Sequence, residues 1–419
     1  MKKFISIIIT FASIIITFAM IFSLVACGNK KENKNEVDLK NKDWNSIVEK
    51  SKGTTVTFYG WGGSELTNKW IDNHLAKELK EKYNITLKRV PMDIDDILNK
   101  MLGEKQAGSD KGTIDVVWIN GENFYTAKKN NLLYGPFSEN LPNYKKYIDK
   151  DSNDVKYDFG KPVEAFEAPY GKAQFVMVYD EEKVTKVPKD HRELLEFVKA
   201  NPGKFTYAAP PDFTGSAFVR NIIYDIVGYE KLMKIKPEKE LIEKEIKPAI
   251  DYLKEIKPYL WNKGKTYPAN IAMLDNMYAD KQVINTMSYN PNSVTEKIDN
   301  GTFPKKTQVS LFKNGTIGNT HFVAIPFNSP NKEGAMVTIN SILSFEMQKS
   351  KYDPKVWGDL PVFDNKKLSE EEKKEIEKIK VGSGSLPQSE LLPHRLPELP
   401  AELVPIIEKI WQENIPGDK

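Results

Sequence analysis

Thr55-Val56-Thr57-Phe58-Tyr59-Gly60-Trp61-Gly62-Gly63-Ser64 sets the reading of this chain. Five β-branched or aromatic residues in succession favour a strand, and the glycines after them end it. Ser64 is suited to cap a helix, and Leu66, Trp70, Ile71, Leu75 and Leu79 then fall on one stripe at helical spacing. Ile85 to Val90 predicts a second strand. Asp93, Asp95 and Asp96 favour the positive end of the next helix, whose Ile94, Ile97, Leu98, Met101 and Leu102 keep the same period. Ile114-Asp115-Val116-Val117-Trp118-Ile119 closes a βαβαβ set. That alternation predicts a parallel sheet with helices on both faces.

Outward from this set the chain supplies a second α/β region. Ala173 to Tyr179 predicts one long apolar strand, and the polar Lys183 to Lys189 is where the chain would pass between lobes. Phe205 to Ala209 predicts a strand leading through Pro210-Pro211-Asp212-Phe213-Thr214-Gly215 into a helix with Phe218, Val219, Ile222, Ile223 and Ile226 inward. Val283 to Tyr289 and His321 to Pro326 are further strands, and Ser329-Pro330 marks a helix start before the stripe Met336, Ile339, Ile342 and Leu343. Glu238 to Lys257 and Leu368 to Lys380 have the charge of surface helices.

The N-terminus carries its own signal. Lys2 and Lys3 precede an almost unbroken apolar run from Phe4 to Ala26, the order of a charged and then an apolar region in a secretory signal peptide. The run ends Leu24-Val25-Ala26-Cys27-Gly28, which resembles the lipobox of bacterial lipoproteins. The resemblance implies that residues 1–26 are removed, that Cys27 is acylated, and that residues 27–53 form a tether. An uncleaved transmembrane anchor is the alternative, and it requires no cysteine at its boundary. Removing Lys2 and Lys3 lowers the basic count from 61 to 59 against 58 acids, a net charge near +1. Such balance argues against a nucleic-acid partner. Cys27 is the single cysteine, so stability must come from core burial rather than disulfides.

In open parallel sheets the loops after strands face a crevice. Trp61, Gly62, Gly63 and Ser64 offer an indole face and close backbone approach; the alternative is a tight turn with the indole in the core. Asn120, Gly121, Glu122 and Asn123 bring amides and a carboxylate, or else a turn with positive φ at Asn120-Gly121. Thr214, Gly215 and Ser216 stand at a helix start, where free N–H groups suit an anion, or where Thr214 or Ser216 simply caps. Tyr289 and Asn290 place an aromatic wall opposite Trp61, or form a solvated edge turn.

Enzymatic chemistry has little support in the sequence. His74, His191, His321 and His394 show no i, i+3 or i, i+4 pairing of a metal site, and no Gly-x-Ser-x-Gly turn presents a nucleophile. Glu164 and Glu167 lie three apart, a spacing that by itself does not make a glycosidase acid pair. The sequence points to no metal, no cofactor and no catalytic residue. It also lacks a Walker phosphate loop, which leaves ATP hydrolysis to another polypeptide.

The segment Phe322-Val323-Ala324-Ile325-Pro326-Phe327-Asn328-Ser329-Pro330, continuing to Ser344, resembles a strand and helix of the extracellular solute-binding proteins of ATP-driven importers. Pro169-Tyr170-Gly171 followed by Val176-Met177-Val178-Tyr179 resembles their crossover strand. Gly60-Trp61-Gly62-Gly63, Trp118 to Asn123 and Gly384-Ser385-Leu386-Pro387 are most similar to the YnjB-like branch. The resemblance implies an α/β, two-lobed type II periplasmic-binding-protein fold with discontinuous lobes and crossover hinge segments. Lobe one would be 54–179 and 321–376, and lobe two 180–320 and 377–419. It implies an extracytoplasmic monomer, anchored to the membrane by its lipid, that passes a small-molecule ligand to an ABC permease and its ATPase. A lipoprotein enzyme acting on cell-wall or carbohydrate material, or a sensor presenting its ligand, are the alternatives.

Ligand chemistry follows from the loops. A ferric-ion binder needs paired tyrosines, and no Tyr-Tyr pair occurs. A polyamine binder needs several carboxylates, and the loops supply Glu122 and Asp212. A neutral sugar suits aromatic walls and amides. Thiamine or a thiamine phosphate fits the same loops, and the superfamily includes thiamine binders. Cys27→Ser should yield a released or unprocessed protein that takes up no labelled fatty acid; continued labelling and processing would defeat the anchor.

Overall fold

The computed structural model describes residues 43–416 apart from Ser383. The signal peptide, Cys27 and most of the expected tether lie outside the described residues. The tether was expected to reach residue 53, but Trp44–Ser51 is helical: Ile47 is buried, and the helix packs beside Lys332–Ile342.

The opening βαβαβ set forms as its periodicity predicts. Strands β1 (Thr55–Gly60), β2 (Thr86–Pro91) and β3 (Val116–Ile119) are parallel, in the order β2-β1-β3. Helices begin after Ser64 and Asp93, and Ser64 accepts the amide N–H of Thr67. The first of these helices widens to a π turn over Trp70–Leu75, where Trp70 is fully buried and donates Nε1–H to Ser350 Oγ at 2.9 Å. Asp115 ties β1 to the start of a distant helix: its carboxylate accepts from Thr57 N at 2.8 Å, Ser329 Oγ at 2.9 Å and Asn331 N at 3.0 Å.

Beyond β3 the sheet becomes mixed rather than parallel. Short β4 (Leu133–Tyr134) is followed by the small hairpin β5 (Tyr157–Asp158) and β6 (Lys161–Pro162), then β7 (Glu167–Gln174) and β8 (Val176–Asp180). A second sheet takes β8 at its centre, with β9 (Asn285–Ser288) and β10 (Thr307–Ser310) antiparallel on its two sides. β11 (Thr316–Pro326) returns to the first sheet, antiparallel to β3, β4 and β7, and β12 (Arg395–Leu396) pairs parallel with its beginning.

The expected single strand over Ala173 to Tyr179 is therefore two strands. Gln174 and Val176 belong to different sheets, and Phe175 between them donates its N–H to Ile317 O at 2.8 Å. The chain changes sheets here, before the polar Lys183 to Lys189 expected to do so. The strand expected over Phe205 to Ala209 is an extended, largely buried segment with single backbone bonds, from Trp261 N to Phe205 O and from Ala209 N to Pro268 O, both 2.8 Å. Pro210 and Pro211, which lack N–H donors, stop a ladder from continuing.

The second sheet's core includes Phe175, Phe205, Phe218, Ile222 and Leu253, and the C-terminal helix Leu403–Asn414 joins it through Trp411, whose Nε1–H reaches Tyr207 Oη at 3.0 Å. The Lys239–Ile256 helix turns Ile242, Ile246, Ala249 and Leu253 into this core, so only its outer face is the charged surface expected. Beneath β7 lies a buried charge group. Lys351 Nζ reaches Asp359 Oδ2 at 2.5 Å, and His321 Nε2 lies 3.2 Å from the same oxygen. Burial pushes the Asp359 carboxyl up, but His321 and Lys351 together hold it below its ordinary value. Gly171 passes directly over this group, and a Cβ there would overlap Asp359 Oδ2 and His321 Nε2. Gly171→Ala should therefore lower the stability read from urea midpoints by about 1–3 kcal/mol, the usual cost of overpacking; an unchanged midpoint would refute the close approach.

Candidate functional site

The loop after β1 holds its indole at the surface. Trp61 is 55% exposed, which rules out the core-packed alternative. Gly63 lies under the ring, where a Cβ would overlap the indole, and Gly62 lies against Pro91 at the end of β2. Asn68 Nδ2 donates to Gly62 O at 2.8 Å and fixes the loop on the helix that Ser64 caps.

After β3, Asn120 is extended and Gly121 takes φ +61°, so the positive-φ turn is present. Gly121 opens the helix Gly121–Lys129, and its N–H donates to Asp158 Oδ2 at 2.5 Å. Asn120, Glu122 and Asn123 are half-buried. Trp118, just before them, packs edge-on to Tyr170 at 5.4 Å and tilted against His321 at 5.3 Å.

The helix expected near Thr214 starts at Phe213 and is capped by neither Thr214 nor Ser216. Asp212 caps it, accepting from Gly215 N at 2.8 Å through Oδ1 and from Ile271 N at 3.0 Å through Oδ2. The chain's own carboxylate thus occupies the place an anion would take. Gly215 lets this turn press against Ala208, whose carbonyl oxygen a Cβ would overlap. Ser216 is buried; it donates Oγ–H to Glu408 Oε1 and accepts from Arg220 Nη1, both at 2.6 Å.

Tyr289 does not stand as an open wall facing Trp61. It is 8% exposed, its ring meets Phe213 edge-on at 4.8 Å, and its hydroxyl donates to Glu398 Oε1. Asn290 folds into a turn, its N–H on Ser288 Oγ at 3.1 Å and its Oδ1 accepting from Asn292 N at 3.0 Å. The half-exposed ring on this side is Phe213, at 40%.

Arg220 is the hub of the arrangement. It is fully buried and reaches Glu398 Oε1 at 3.2 Å, and the same oxygen takes the Tyr289 hydroxyl. Glu398 Oε2 and Arg220 Nε are buried without partners. Burial raises the carboxyl pKa of Glu122, an effect that Glu398 and Asp95 add to and that the Arg220 charge opposes. Asp158, wholly buried, is driven well above its ordinary value by burial, against the Gly121 N–H. Glu408 is raised by burial first, partly offset by Ser216 and Arg220, and Glu122 pushes it further. Two of the four loops, at Ser216 and Tyr289, are therefore linked by hydrogen bonds through Arg220 and Glu398, and the Arg220 and Glu398 charges act on Glu122 of a third.

Sequence reasoning missed Arg220, Glu398, Glu408 and Asp158. Arg220 had a readable signal, a lone charge on the apolar side of the Phe218-Val219…Ile222-Ile223 helix. Glu398, between Pro397 and Leu399, had a weaker one. Of the glutamates three apart, Glu164 forms a surface ion pair with Lys128 at 2.8 Å, and Glu167 is buried with neither oxygen partnered. Among the described residues no three His, Cys, Asp or Glu side chains are grouped to hold a metal. Two hollows of about 240 and 480 Å³ lie elsewhere, the first against Asp149, Lys172, Leu360 and Gln388, the second against Lys349, Glu375 and Ile379. Neither includes a residue of the four loops.

Two sheets and a chain that passes from one to the other at Phe175 make a two-lobed fold of the kind found in solute-binding proteins. Residues 74–379 match the family described as bacterial extracellular solute-binding protein, and the chain belongs to that family. It is 35% identical over 371 residues to Protein YnjB of Escherichia coli (strain K12), covering 88% of this chain and 93% of that protein. Its fold is similar to the spermidine/putrescine ABC transporter substrate-binding protein PotD of Streptococcus pneumoniae (TM-score 0.60, 15% identity, 86% of this chain and 98% of that one). It is also similar to iron-bound HitA of Pseudomonas aeruginosa (TM-score 0.58, 15% identity, 86% and 99%). The chain is thus a member of a family of extracellular solute-binding proteins. Family and structural neighbours are transport binding proteins rather than enzymes. Among the described residues no helix is long and apolar enough to cross a membrane.

Removing Arg220 would leave the buried Glu398 charge with the Tyr289 hydroxyl alone. Arg220→Met should cost about 3–5 kcal/mol in urea unfolding, and adding Glu398→Gln should recover part of it. A double variant as unstable as the sum of the singles would show that the two side chains do not act as a pair.

Proposed function

We propose that this protein captures a small organic solute in the cleft between its lobes, tethered through an acylated Cys27, and delivers it as a monomer to an ABC permease and its ATPase. The observation that carries this reading is the buried Arg220, which bonds Ser216 in the turn after Asp212 and Glu398 in the C-terminal segment, with the Tyr289 hydroxyl on the same Glu398 oxygen. The lobe boundaries we propose are Phe175 and the segment 311–315, where the chain leaves one sheet and enters the other.

Trp61 and Phe213 would supply the exposed aromatic faces, Asn120 and Asn123 the polar edge, and Gly62, Gly63, Ser64, Thr214, Gly215 and Asn290 the close backbone around them. A flat heteroaromatic solute fits such a set, and thiamine is the ligand we favour. The Asp212 cap at Thr214-Gly215-Ser216 supports the unphosphorylated form over its phosphates.

Calorimetric titration of thiamine, thiamine monophosphate and maltose checks this. Trp61→Ala should weaken the best ligand about tenfold, equivalent to roughly 1.4 kcal/mol. Unchanged affinity with the fold intact by circular dichroism would remove Trp61 from the site, and preference for maltose over both thiamine forms would overturn the ligand.

A further inference from the structure

Lys172 and Arg395 stand on either side of β11. Lys172 lies in β7 opposite Thr320, and Arg395 lies in β12 opposite Thr316. Side chains alternate along a strand, so Thr316, Gly318 and Thr320 share one face of β11 and both cations project on that face. Gly318 between them has no Cβ, and one built there would overlap Arg395 Nε. The bare backbone lets the Arg395 side chain lie over β11, where its Nη1 reaches Asp154 Oδ2 in the short helix Asn153–Lys156. Lys172 Nζ lies 3.5 Å from the same oxygen.

Two largely buried cations therefore share one carboxylate oxygen. The Arg395 side chain is 6% exposed, and its Nε and Nη2 have no hydrogen-bond partner among the described residues. Lys172 carries three N–H donors, and the oxygen it pairs with is already engaged by Arg395. Burial first, and then the Arg395 charge, push the Lys172 pKa below its ordinary value, against the pull of Asp154. On the Lys172 side lies the hollow of about 240 Å³, with Lys172 in its wall. That volume is below the roughly 300 Å³ at which pockets for drug-sized ligands begin. Val155, Leu360, Phe363 and Leu392 give it apolar walls, and the Lys172 N–H holds Leu360 in place through its carbonyl at 3.0 Å. Asp149 and Asp364 line it too, their carboxylates accepting from Asp151 N at 3.1 Å and Lys366 N at 2.9 Å.

We infer that this hollow is a second ligand site, which takes a small organic monocarboxylate with its carboxylate on Lys172 and its apolar body against Val155, Leu360, Phe363 and Leu392. One negative charge is what the set of Lys172, Arg395 and Asp154 lacks. A second one, as on phosphate, would meet Asp149 and Asp364 with no cation left to balance it, and a cationic ligand would meet Lys172. The apolar walls favour a hydrocarbon body over a bare inorganic ion, and the volume keeps that body small. No residue of the four loops lines this hollow, so the site stands apart from the cleft and does not rest on the solute being held there.

Calorimetric titration of the full chain with butyrate at constant ionic strength tests this, with inorganic phosphate and butylamine as the other probes. Butyrate should bind one to one with a Kd of about 1 mM or below, more tightly than either of the others. Lys172→Met should weaken it about tenfold or more, and so should Leu392→Asp, which sets a like charge beside the carboxylate from a position that is 40% exposed and holds no buried ion pair. No saturable binding of butyrate, or tighter binding of phosphate or butylamine, overturns the inference. Undiminished butyrate affinity in either variant, with the circular dichroism spectrum unchanged, overturns it as well; should Lys172→Met not fold, Leu392→Asp decides. Butyrate binding that Trp61→Ala abolishes would place the acid in the cleft and defeat the second site while leaving solute capture there intact.

Discussion

The backbone at Phe175 is the constraint on which the rest of the architecture depends. A strand bonded to β11 on one side of this residue and to β9 and β10 on the other has to leave one ladder and enter another within a single position. The bonds that hold it there are backbone to backbone, from Phe175 N to Ile317 O at 2.8 Å and from Gln174 N to Tyr289 O at 3.0 Å. Phe175 itself is fully buried in the larger core, so the changeover cannot slip by one residue without turning that ring outward. The Gln174 N–H on Tyr289 O fixes the Tyr289 backbone, and the Tyr289 hydroxyl in turn meets Glu398, the partner of Arg220. Sheet geometry and site geometry share one anchor.

The Arg220 cluster is an expensive arrangement for a protein without disulfides. Burying a guanidinium and several carboxylates sacrifices hydration that an apolar core of the same volume would not need, so the cluster is better explained by specificity than by stability. The cluster also holds the helix after Asp212 against the C-terminal segment, through Ser216 to Glu408 and Arg220 to Glu398. Contrast the Lys351–Asp359–His321 group beneath Gly171, which packs under Trp118, Tyr170 and Trp357 and joins only elements on the first sheet's side.

Much of this fold was legible because its periodicities are strong. The stripe Leu66, Trp70, Ile71, Leu75 and Leu79 and the run Val116 to Ile119 leave little choice of element, and the resemblance of Phe322 to Pro330 supplied the arrangement of lobes. The break at Phe175 was not legible, since Gln-Phe-Val reads as uninterrupted strand and only long-range pairing separates its halves. The extended stretch at Phe205 fails as a strand for lack of a neighbour, although its composition is right. Within the candidate site, loops after strands were legible because the strands themselves are. Side chains arriving from helix interiors and from the tail, Arg220, Glu398 and Glu408, have no local pattern that reveals their destination. Tyr289 was expected as an open wall because the Phe213 ring and Glu398 carboxylate that claim it lie 76 residues before it and 109 residues after it in sequence.

Three passes of the chain, at β7 to β8, at the start of β11 and at β12, lie side by side, and the Gln174 amide donates to both Thr316 Oγ1 at 3.1 Å and His394 O at 3.2 Å. Neighbouring passes stitched by one side chain act as an axle, because backbone torsions spread over adjacent strands twist far more easily than they stretch. Displacement under rotation grows with distance from the axle. Residues beside it, such as Tyr289, would move little in such a rotation, whereas a loop set away from it would travel through an arc. Under the proposed role, small torsional changes at Gln174 and Phe175 would thereby be geared up into a change of surface shape.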